Sequence, residues 1–149
     1  MDDVSQWFWL VLEQTKPDLG RLATWLEAAS RAEIEDFARE FRRAKEHVVA
    51  DYSKGIEVDG VIFSEDGTED FCDWVVAQGR HFWQAAVASR ADLSGLAREY
   101  QGAEESGSKA ASRAWNGSAL GQKYRGSRSP RLLAYAIYDA RFGADLDDA

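Results

Sequence analysis

The chain has 149 residues, of which 45% are hydrophobic, and its formal net charge is −8. This length is typical of one domain, and the hydrophobic content is sufficient for a core without disulfides or metal ions. The acidic charge argues against general nucleic-acid binding, which depends on clustered Lys and Arg. The single cysteine excludes an internal disulfide, and no apolar run approaches the roughly 20 residues of a membrane span, so we expect a cytoplasmic protein with no membrane segment.

Helical periodicity dominates the first third of the chain. Apolar residues recur at three- and four-residue intervals and predict helices over Val4–Gln14, Leu19–Ala29 and Arg31–Tyr52. Asp2 or Asp3 is expected to cap the first helix, and Pro17 separates it from the second. Ser30 followed by Glu33 has the spacing of a capping box at the start of the third helix.

The middle of the chain combines an irregular segment with shorter helices. Residues 55–67 are predicted to be irregular, with at most an isolated extended segment at residues 60–63. Three helices are then predicted, one that begins near Thr68, one over Arg80–Ala88 and one marked by Leu93–Tyr100. Gly79 is expected to supply a left-handed turn between the first two, and Ser89–Asp92 a turn before the third.

The last third contains a basic, polar stretch and one clear helix. A loop is expected over residues 102–108, a short helix over Lys109–Trp115 and a mobile basic loop over Gly121–Ser129. Ser129 and Pro130 are suited to the start of a final helix, Pro130–Phe142, with Gly143 as its cap. The sequence therefore predicts an all-α, compact single-domain bundle of about six to eight helices.

Three segments carry a resemblance to a known family. They read Phe-Trp-Leu-Val-Leu-Glu from residue 8, Ser-Glu-Asp-Gly from residue 64, and Phe-Cys-Asp-Trp-Val-Val-Ala-Gln-Gly-Arg from residue 71. Together they resemble DUF4240, a bacterial domain family of unknown function, with its Phe-Trp-x-x-x-Glu, Ser-Asp-Asp-Gly and Phe-x-x-Trp-Leu-Ile-x-Gln-Gly-Arg segments. The Val61-Ile62 pair stands where that family often has Gly-Gly, which marks a divergent member.

The resemblance covers residues 1–95 of the single predicted domain. Residues 96–142 are expected to add C-terminal helices with a basic loop, and residues 143–149 a solvated acidic tail. The resemblance implies a shared helical scaffold with a polar centre at Asp66, Gln78 and Arg80, and it implies no activity.

The Gln78-Gly79-Arg80 corner is the most specific candidate site. A guanidinium group suits bidentate binding of a carboxylate, so Arg80 is expected to pair with a carboxylate inside the fold or with an anionic group of a ligand. His81 adjoins it and is either a surface group or a general acid or base. With Asp66 and Asp70, these residues would line the helical pocket of a small enzyme or ligand-binding protein.

Charge and tryptophan content point to a different function. Residues 57–73 hold seven carboxylates and no Lys or Arg, whereas residues 106–131 hold six basic residues and no carboxylate. The two segments either neutralise each other, are separately solvated, or form two recognition surfaces. Among the six Trp, periodicity does not clearly place Trp9, Trp25 and Trp83 inside, and exposed Trp is typical of interface anchors.

Partial motifs for other chemistries fail on their spacing. A calcium loop starting at Asp66 would need Gly where Phe71 stands and Glu where Ala77 stands, although a looser divalent-ion site is an alternative. Residues 121–128 lack the Lys that follows the second Gly of a phosphate loop, which leaves only a flexible phosphate contact. Cys72 lies among aspartates, which raise a thiol's pKa and disfavour nucleophilic catalysis.

The sequence therefore favours a non-enzymatic interaction or regulatory domain that binds a protein or peptide partner. It predicts no catalytic residue, cofactor or metal. The alternative is a small enzyme or small-molecule-binding protein that uses Arg80, His81 and nearby carboxylates. A nucleic-acid contact through residues 109–131 is a third interpretation, which the acidic charge disfavours.

Overall fold

A computed structural model of the chain describes residues 3–106, 115–124 and 126–148. Within these ranges the seven α-helices are α1 (Gln6–Thr15), α2 (Leu19–Ala28), α3 (Arg31–Val48), α4 (Glu65–Ala77), α5 (Arg80–Ala88), α6 (Leu93–Ser106) and α7 (Pro130–Phe142). The same ranges contain one antiparallel hairpin, formed by β1 (Glu57–Val58) and β2 (Val61–Ile62). The prediction of an all-α fold is confirmed. None of the described helices has the length and apolar character needed to cross a membrane.

Side-chain caps fix the starts of α1, α2, α3 and α7. In the predicted capping box, Ser30 Oγ accepts from the Glu33 N–H at 3.1 Å, and the Ser30 N–H donates to Glu33 Oε1 at 2.9 Å. Asp18 also accepts from a first-turn N–H group, and so does Ser129, as expected for the last helix. Ser5, and not an aspartate at position 2 or 3, caps α1, so this helix begins two residues later than predicted.

Local turn chemistry also shifts two predicted boundaries. α3 ends at Val48, before a 3₁₀ turn over Tyr52–Lys54 in which Asp51 accepts from the Ser53 N–H at 3.0 Å. α4 begins at Glu65, three residues earlier than expected. Ser64 Oγ accepts from the Gly67 N–H at 3.0 Å, which satisfies a donor that the first helical turn otherwise leaves free.

The extended segment at residues 60–63 is paired, so its prediction as an isolated segment is wrong. Val58 lies opposite Val61, and Glu57 lies opposite Ile62. Asp59 and Gly60 form the two-residue turn between the strands, with φ values of 52° and 82°. Positive φ at both central residues is the geometry of a tight hairpin turn, for which Asp-Gly is a favoured sequence.

The C-terminal part follows the prediction in α7 and departs from it on either side. α7 has the predicted bounds, and Gly143 ends it in the left-handed conformation at φ 63°. α6 continues to Ser106, where a loop was expected, and the helix predicted over Lys109–Trp115 lies outside the described residues except for its last one. Leu146 is 3% exposed, so the C-terminal segment is not simply a solvated tail.

Contacts divide the chain into two compact units, and each is considered by itself. The terminal unit comprises Met1–Arg43 and Trp115–Ala149, and the central unit comprises Ala44–Ala114. α3 contributes residues to both. The single-domain organisation expected for residues 1–149 stays a prediction.

In the terminal unit, helices from both ends of the sequence share one core. α7 and α1 both pack on α2. The side chains that are fully buried in this core include Phe8, Leu22, Leu26, Phe37, Phe41, Leu133, Ile137 and Tyr138. Arg141 of α7 donates from Nη1 to the carbonyl oxygens of Leu26 and Ala29, each at 2.6 Å, and so satisfies the last turn of α2.

In the central unit, α4 is the element with the most extensive buried face. Its buried residues include Phe71, Cys72, Val75 and Val76, and it packs on α5, α6 and the Tyr52–Lys54 turn. Between α4 and α5, Gly79 has φ 103° and ψ 172°. The expected positive φ is present, but the residue lies outside the left-handed helical conformation that was predicted. α6 covers β1 and thereby holds the hairpin in the unit.

Candidate functional site

The predicted polar centre at Asp66, Gln78 and Arg80 is not formed as one cluster. Asp66 is exposed in the first turn of α4, whereas Gln78 caps the other end of the same helix. At a rise of about 1.5 Å per residue, these two residues lie about 18 Å apart along the helix axis. Gln78 is buried and donates from Nε2 to the Trp74 carbonyl oxygen at 2.9 Å, so its amide completes its own helix.

The remaining predicted pocket residues lie at different places in the central unit. Arg80 is the first residue of α5 and is partly exposed, and His81 beside it is exposed. Asp70 is exposed on α4 and lines a cleft of about 230 Å³. The described residues that line the cleft are Phe63, Ser64, Gly67, Asp70, Tyr100 and Gln101. Arg80 and His81 therefore lie outside the cleft that contains Asp70.

Two of the three tryptophans expected at the surface are buried, so that expectation is wrong for them. Trp9 is 2% exposed and Trp83 is 3% exposed. Trp83 Nε1 donates to the Ala44 carbonyl oxygen at 2.9 Å, which allows the indole N–H to be buried. Trp25 is half-buried, with its ring centroid 5.8 Å from that of Trp7. Trp9 and Trp83 therefore cannot anchor a partner without leaving the core.

Among the described residues of the central unit, the large apolar side chains that are exposed lie instead on the hairpin. Val61 is 63% exposed and Ile62 is 64% exposed. We call the following exposed residues the hairpin surface: Val61 and Ile62, together with the carboxylates Glu57, Glu65, Asp66 and Asp70. Since adjacent strand residues point to opposite faces, both faces of β2 present an aliphatic side chain.

The backbone of β2 adds unpaired hydrogen-bonding groups to the hairpin surface. The Phe63 N–H donates to the Ile56 carbonyl oxygen at 2.9 Å, and Val58 is paired with Val61. Ile62 lies between these two paired positions. In an antiparallel ladder its N–H and C=O therefore point away from β1, as at any outer strand edge. This edge has the geometry needed to pair with another extended segment.

An ion pair holds the tip of the hairpin against α6. Arg98 Nη2 donates to Asp59 Oδ1 at 2.7 Å, and its Nε donates to Oδ2 at 3.3 Å. The bond to the Asp59 carboxylate raises the pKa of Arg98 above its ordinary value. On the inner side of the hairpin, Val58 is 4% exposed. The hairpin is thus fixed on its inner side while Val61 and Ile62 face solvent.

A half-buried aromatic cluster lies next to the cleft. The Tyr100 ring centroid is 5.8 Å from that of Phe71 and 5.5 Å from that of Trp74. Phe82 contacts Trp74 edge-on, at 5.6 Å between centroids. Phe71 is fully buried, whereas Trp74, Phe82 and Tyr100 are each half-buried. The aromatic residues that retain exposure in this unit are therefore not the ones that the sequence singled out.

Sequence reasoning also missed a charged cluster in the interior of the central unit. Lys45 is 4% exposed, and its Nζ lies 2.6 Å from Glu69 Oε2 and 3.2 Å from Asp73 Oδ1. Its Nζ is also 5.6 Å from the centroid of the Tyr52 ring. Lys45 lies on the apolar stripe of α3, and Glu69 and Asp73 are four residues apart on α4. A lysine on an apolar stripe, together with two carboxylates on one helix face, was the signal in the sequence for a buried ion-pair cluster.

A family comparison covers most of the chain. The match, to a family described as a protein of unknown function (DUF4240), extends over residues 4–116. The chain belongs to this family. No curated protein and no solved structure matches it significantly. The match continues past residue 95, where the resemblance seen in the sequence ends, and it includes both the hairpin surface and the buried charged cluster of this DUF4240 protein.

Cys72 of the DUF4240 protein is buried beside the charged cluster. Burial is the main cause that raises the pKa of its thiol to about 12, and the neighbouring Asp73 carboxylate raises it further. Burial likewise raises the pKa of Tyr52 far above its ordinary value. The thiol is therefore protonated near neutral pH, as expected from its acidic neighbours, and is a poor nucleophile.

The described residues give little support to a metal site or a nucleic-acid contact. Among them, no group of three or more His, Cys, Asp or Glu side chains is placed to hold a metal ion, so the divalent-ion alternative gains no support. Three of the six basic residues of segment 106–131, namely Lys109, Arg113 and Arg125, lie outside the described part of the chain. Arg131 stacks on Tyr135, with its guanidinium carbon 5.4 Å from the ring centroid.

Proposed function

We propose that this DUF4240 protein is a non-enzymatic interaction domain whose hairpin surface binds a basic, hydrophobic peptide segment of a protein partner. The observation that carries the proposal is the pair Val61 and Ile62, 63% and 64% exposed on an open strand edge and flanked by exposed carboxylates. Partner binding was expected from the sequence, but its proposed location moves from the tryptophans to the hairpin.

Three kinds of interaction support an extended peptide as the occupant. The Ile62 N–H and C=O provide main-chain hydrogen bonds, which is how a peptide adds a strand to a sheet edge. Burial of Val61 and Ile62 supplies the hydrophobic contribution, at about 1.5–3 kcal/mol for each fully covered side chain. Because backbone bonds do not depend on sequence, the two aliphatic side chains would provide the selectivity.

Charge supports a basic character for the peptide. Glu57 lies directly opposite Ile62, and directly opposite residues of paired strands share a face. Glu65 and Asp66 continue the negative charge into the first turn of α4. Carboxylates around an apolar patch accelerate encounter with a basic partner and disfavour an acidic one. The preferred peptide therefore combines Lys or Arg with Val, Ile or Leu.

The proposal is tested by selection of a random peptide library against the full chain, followed by calorimetry with the selected peptides. We expect enrichment of sequences that combine basic and aliphatic residues. The double variant V61T/I62T keeps β-branching but replaces a methyl group of Val61 and the ethyl group of Ile62 with hydroxyl groups, and it should weaken binding about tenfold or more. The control variant L10Q removes another exposed aliphatic side chain, 48% exposed on α1, and should bind normally.

The proposal is contradicted by two results. One is the absence of any enriched peptide class. The other is an enriched class whose binding is the same in the V61T/I62T variant as in the unchanged protein, since the hairpin would then not be the contact surface.

The enzyme alternative and the cytoplasmic location stay predictions. The enzyme alternative requires a pocket in which Arg80 meets at least one of Asp66, Asp70 or His81, and Arg80 is not among the described residues that line the cleft around Asp70. We therefore favour the interaction domain over a small enzyme.

A further inference from the structure

The cleft beside the hairpin surface combines aromatic walls with a carboxylate. Phe63 and Tyr100 contribute rings, and Asp70 contributes an exposed carboxylate from α4. We propose that this cleft binds the guanidinium group of an arginine side chain in the partner peptide. The inference rests on the proposed function and names the side chain that the cleft selects.

The size of the cleft fits one side chain. Its volume is about 230 Å³. Pockets for drug-sized ligands and cofactors are typically about 300–1,000 Å³. A cleft below that range and open to solvent is better matched to a single long side chain than to a cofactor.

The chemistry of the lining favours a planar cation. A guanidinium group stacks on aromatic faces and pairs with a carboxylate through two parallel N–H groups, whereas an ammonium group offers only a compact point charge. The Tyr100 ring contacts both Phe71 and Trp74, at centroid distances of 5.8 and 5.5 Å. A ring fixed in this way loses little further entropy when a ligand stacks on it.

The backbone at the start of α4 keeps the cleft accessible. Ser64 Oγ accepts the Gly67 N–H at 3.0 Å, and both residues line the cleft. A Cβ at Gly67 would lie 3.1 Å from Ser64 Oγ and 3.9 Å from Phe63 Cβ. Glycine therefore leaves open a space that any other residue would partly fill.

The position of Phe63 links the cleft to the edge of β2. Phe63 follows Ile62 directly, so a peptide extended along β2 passes the cleft within a few residues of its contact with Ile62. At about 3.4 Å per residue, the arginine and the aliphatic residue of the peptide should lie within about three positions of each other.

The test is a titration of the ¹⁵N-labelled full chain with capped arginine (N-acetyl-arginine N-methylamide), compared with capped citrulline, which keeps the shape but removes the charge. We expect saturable shifts of the Ser64, Gly67 and Gln101 amide signals with capped arginine. Capped citrulline should bind at least about tenfold more weakly, because the charge-assisted pair with Asp70 is lost.

Two variants make the test specific. Asp70→Asn should weaken the binding of capped arginine about tenfold or more. Glu46→Gln removes an equal charge from an exposed side chain on α3 that belongs to neither the cleft nor the hairpin surface, and this variant should bind with little change. Because both side chains are exposed, both variants are expected to fold, and their amide spectra check this directly.

The outcomes separate the cleft from the hairpin proposal. Equal binding of capped arginine and capped citrulline, or unchanged binding by Asp70→Asn, overturns the arginine site. If selected peptides depend on Val61 and Ile62 but not on arginine, the site fails and the hairpin proposal stands. If capped arginine binds as expected but no peptide class is enriched, the hairpin proposal fails and the guanidinium site stands.

Discussion

Lys45 and Asp73 form a buried ion pair in the central unit, with 3.2 Å between Nζ and Oδ1 and only 4% and 3% of the two residues exposed. Glu69 shares the ammonium group at 2.6 Å and is itself partly exposed. The cost of removing these charges from water offsets much of their attraction, so the cluster adds little stability compared with a well-packed apolar core. Lys45 is the cation that both carboxylates share, so its removal leaves two carboxylates in the cluster without their common cation.

Removal of one partner of this pair should therefore be costly. We expect Lys45→Met to lower the free energy of unfolding by about 3–5 kcal/mol, because it removes the buried cation that Asp73 and Glu69 share. Asp73→Asn should lower it by less, since Lys45 keeps its contact with Glu69 at 2.6 Å. The double variant K45M/D73N should lose clearly less than the sum of the two. Urea denaturation of the four proteins gives the coupling energy.

The exposed pair Arg39 and Asp36 on α3 provides the matched control, since its side chains are 51% and 56% exposed. Arg39→Met and Asp36→Asn should each change stability by no more than about 0.5–1 kcal/mol. If Lys45→Met lowers the free energy of unfolding no more than Arg39→Met does, the buried charges do not depend on Lys45 for compensation.

The Cys72 thiol should be unreactive in the folded protein. With its pKa raised to about 12, only a minute fraction is thiolate at pH 8. We expect the rate of alkylation by iodoacetamide to rise sharply in urea, in parallel with unfolding. Rapid alkylation at pH 8 without denaturant would contradict both the burial and the raised pKa.

The same thiol should make stability fall at alkaline pH. Above about pH 9 the unfolded chain loses the thiol proton while the folded chain keeps it until about pH 12, so unfolding is favoured as pH rises through this window. Cys72 should contribute up to about 1.4 kcal/mol of lost stability per pH unit. In the Cys72→Ala variant, the free energy of unfolding from urea titrations should fall less steeply between pH 9 and 11. If it falls equally steeply in both proteins, the Cys72 thiol is not the cause of the alkaline loss of stability.

Two glycines of the hairpin region should respond differently to the same substitution. Gly55 and Gly60 both have positive φ, at 67° and 82°. A Cβ at Gly55 would lie 2.5 Å from Ile62 Cγ2 and 2.6 Å from the Phe63 carbonyl oxygen, whereas at Gly60 no atom lies within 4 Å. Gly60→Ala should cost about 1–2 kcal/mol from backbone conformation alone.

Gly55→Ala should cost more, about 2–4 kcal/mol, because a backbone oxygen must also move. Thermal or urea denaturation measures the difference, and amide shifts of Ile62 and Phe63 should report the displacement. Equal costs for the two substitutions would show that the hairpin accommodates the added methyl group freely.

Arg141 should stabilise the end of α2. Its Nη1 bonds to the Leu26 and Ala29 carbonyl oxygens, and Arg141→Gln should lower the free energy of unfolding by about 1–3 kcal/mol. Hydrogen exchange should accelerate in the last turn of α2. Arg21→Gln is the control, since that side chain is 70% exposed and its contact with Asp18 is 3.8 Å, and it should change stability by less than about 0.5 kcal/mol.

Local signals determined which parts of the fold were predictable. α7 has its predicted bounds because Ser129, Pro130 and Gly143 act within one helical turn of its ends. The Asp59-Gly60 turn was an equally local signal, but it was overlooked because the strands beside it are only two residues long.

The candidate site depended on contacts between distant residues, and most of it was not predictable. Asp70 was recognised from its acidic neighbours, but Phe63 and Tyr100 complete its cleft from other elements. Periodicity alone could not show that Trp83 finds a buried acceptor at Ala44, 39 residues away. The buried charge of Lys45 was missed because the sequence analysis treated every lysine as a surface residue.

The packing of α7 on α2 has a consequence for the order of events during synthesis. The terminal unit combines α2 with α7, which is far from it in the sequence. During synthesis, α2 therefore lacks its partner helix until Pro130–Phe142 has left the ribosome. A fragment cut after residue 116 would retain the whole segment that matches the family and still leave Leu22 and Leu26 without α7. Expression of the family segment alone should therefore yield an aggregation-prone product, and stable preparations should extend through Phe142.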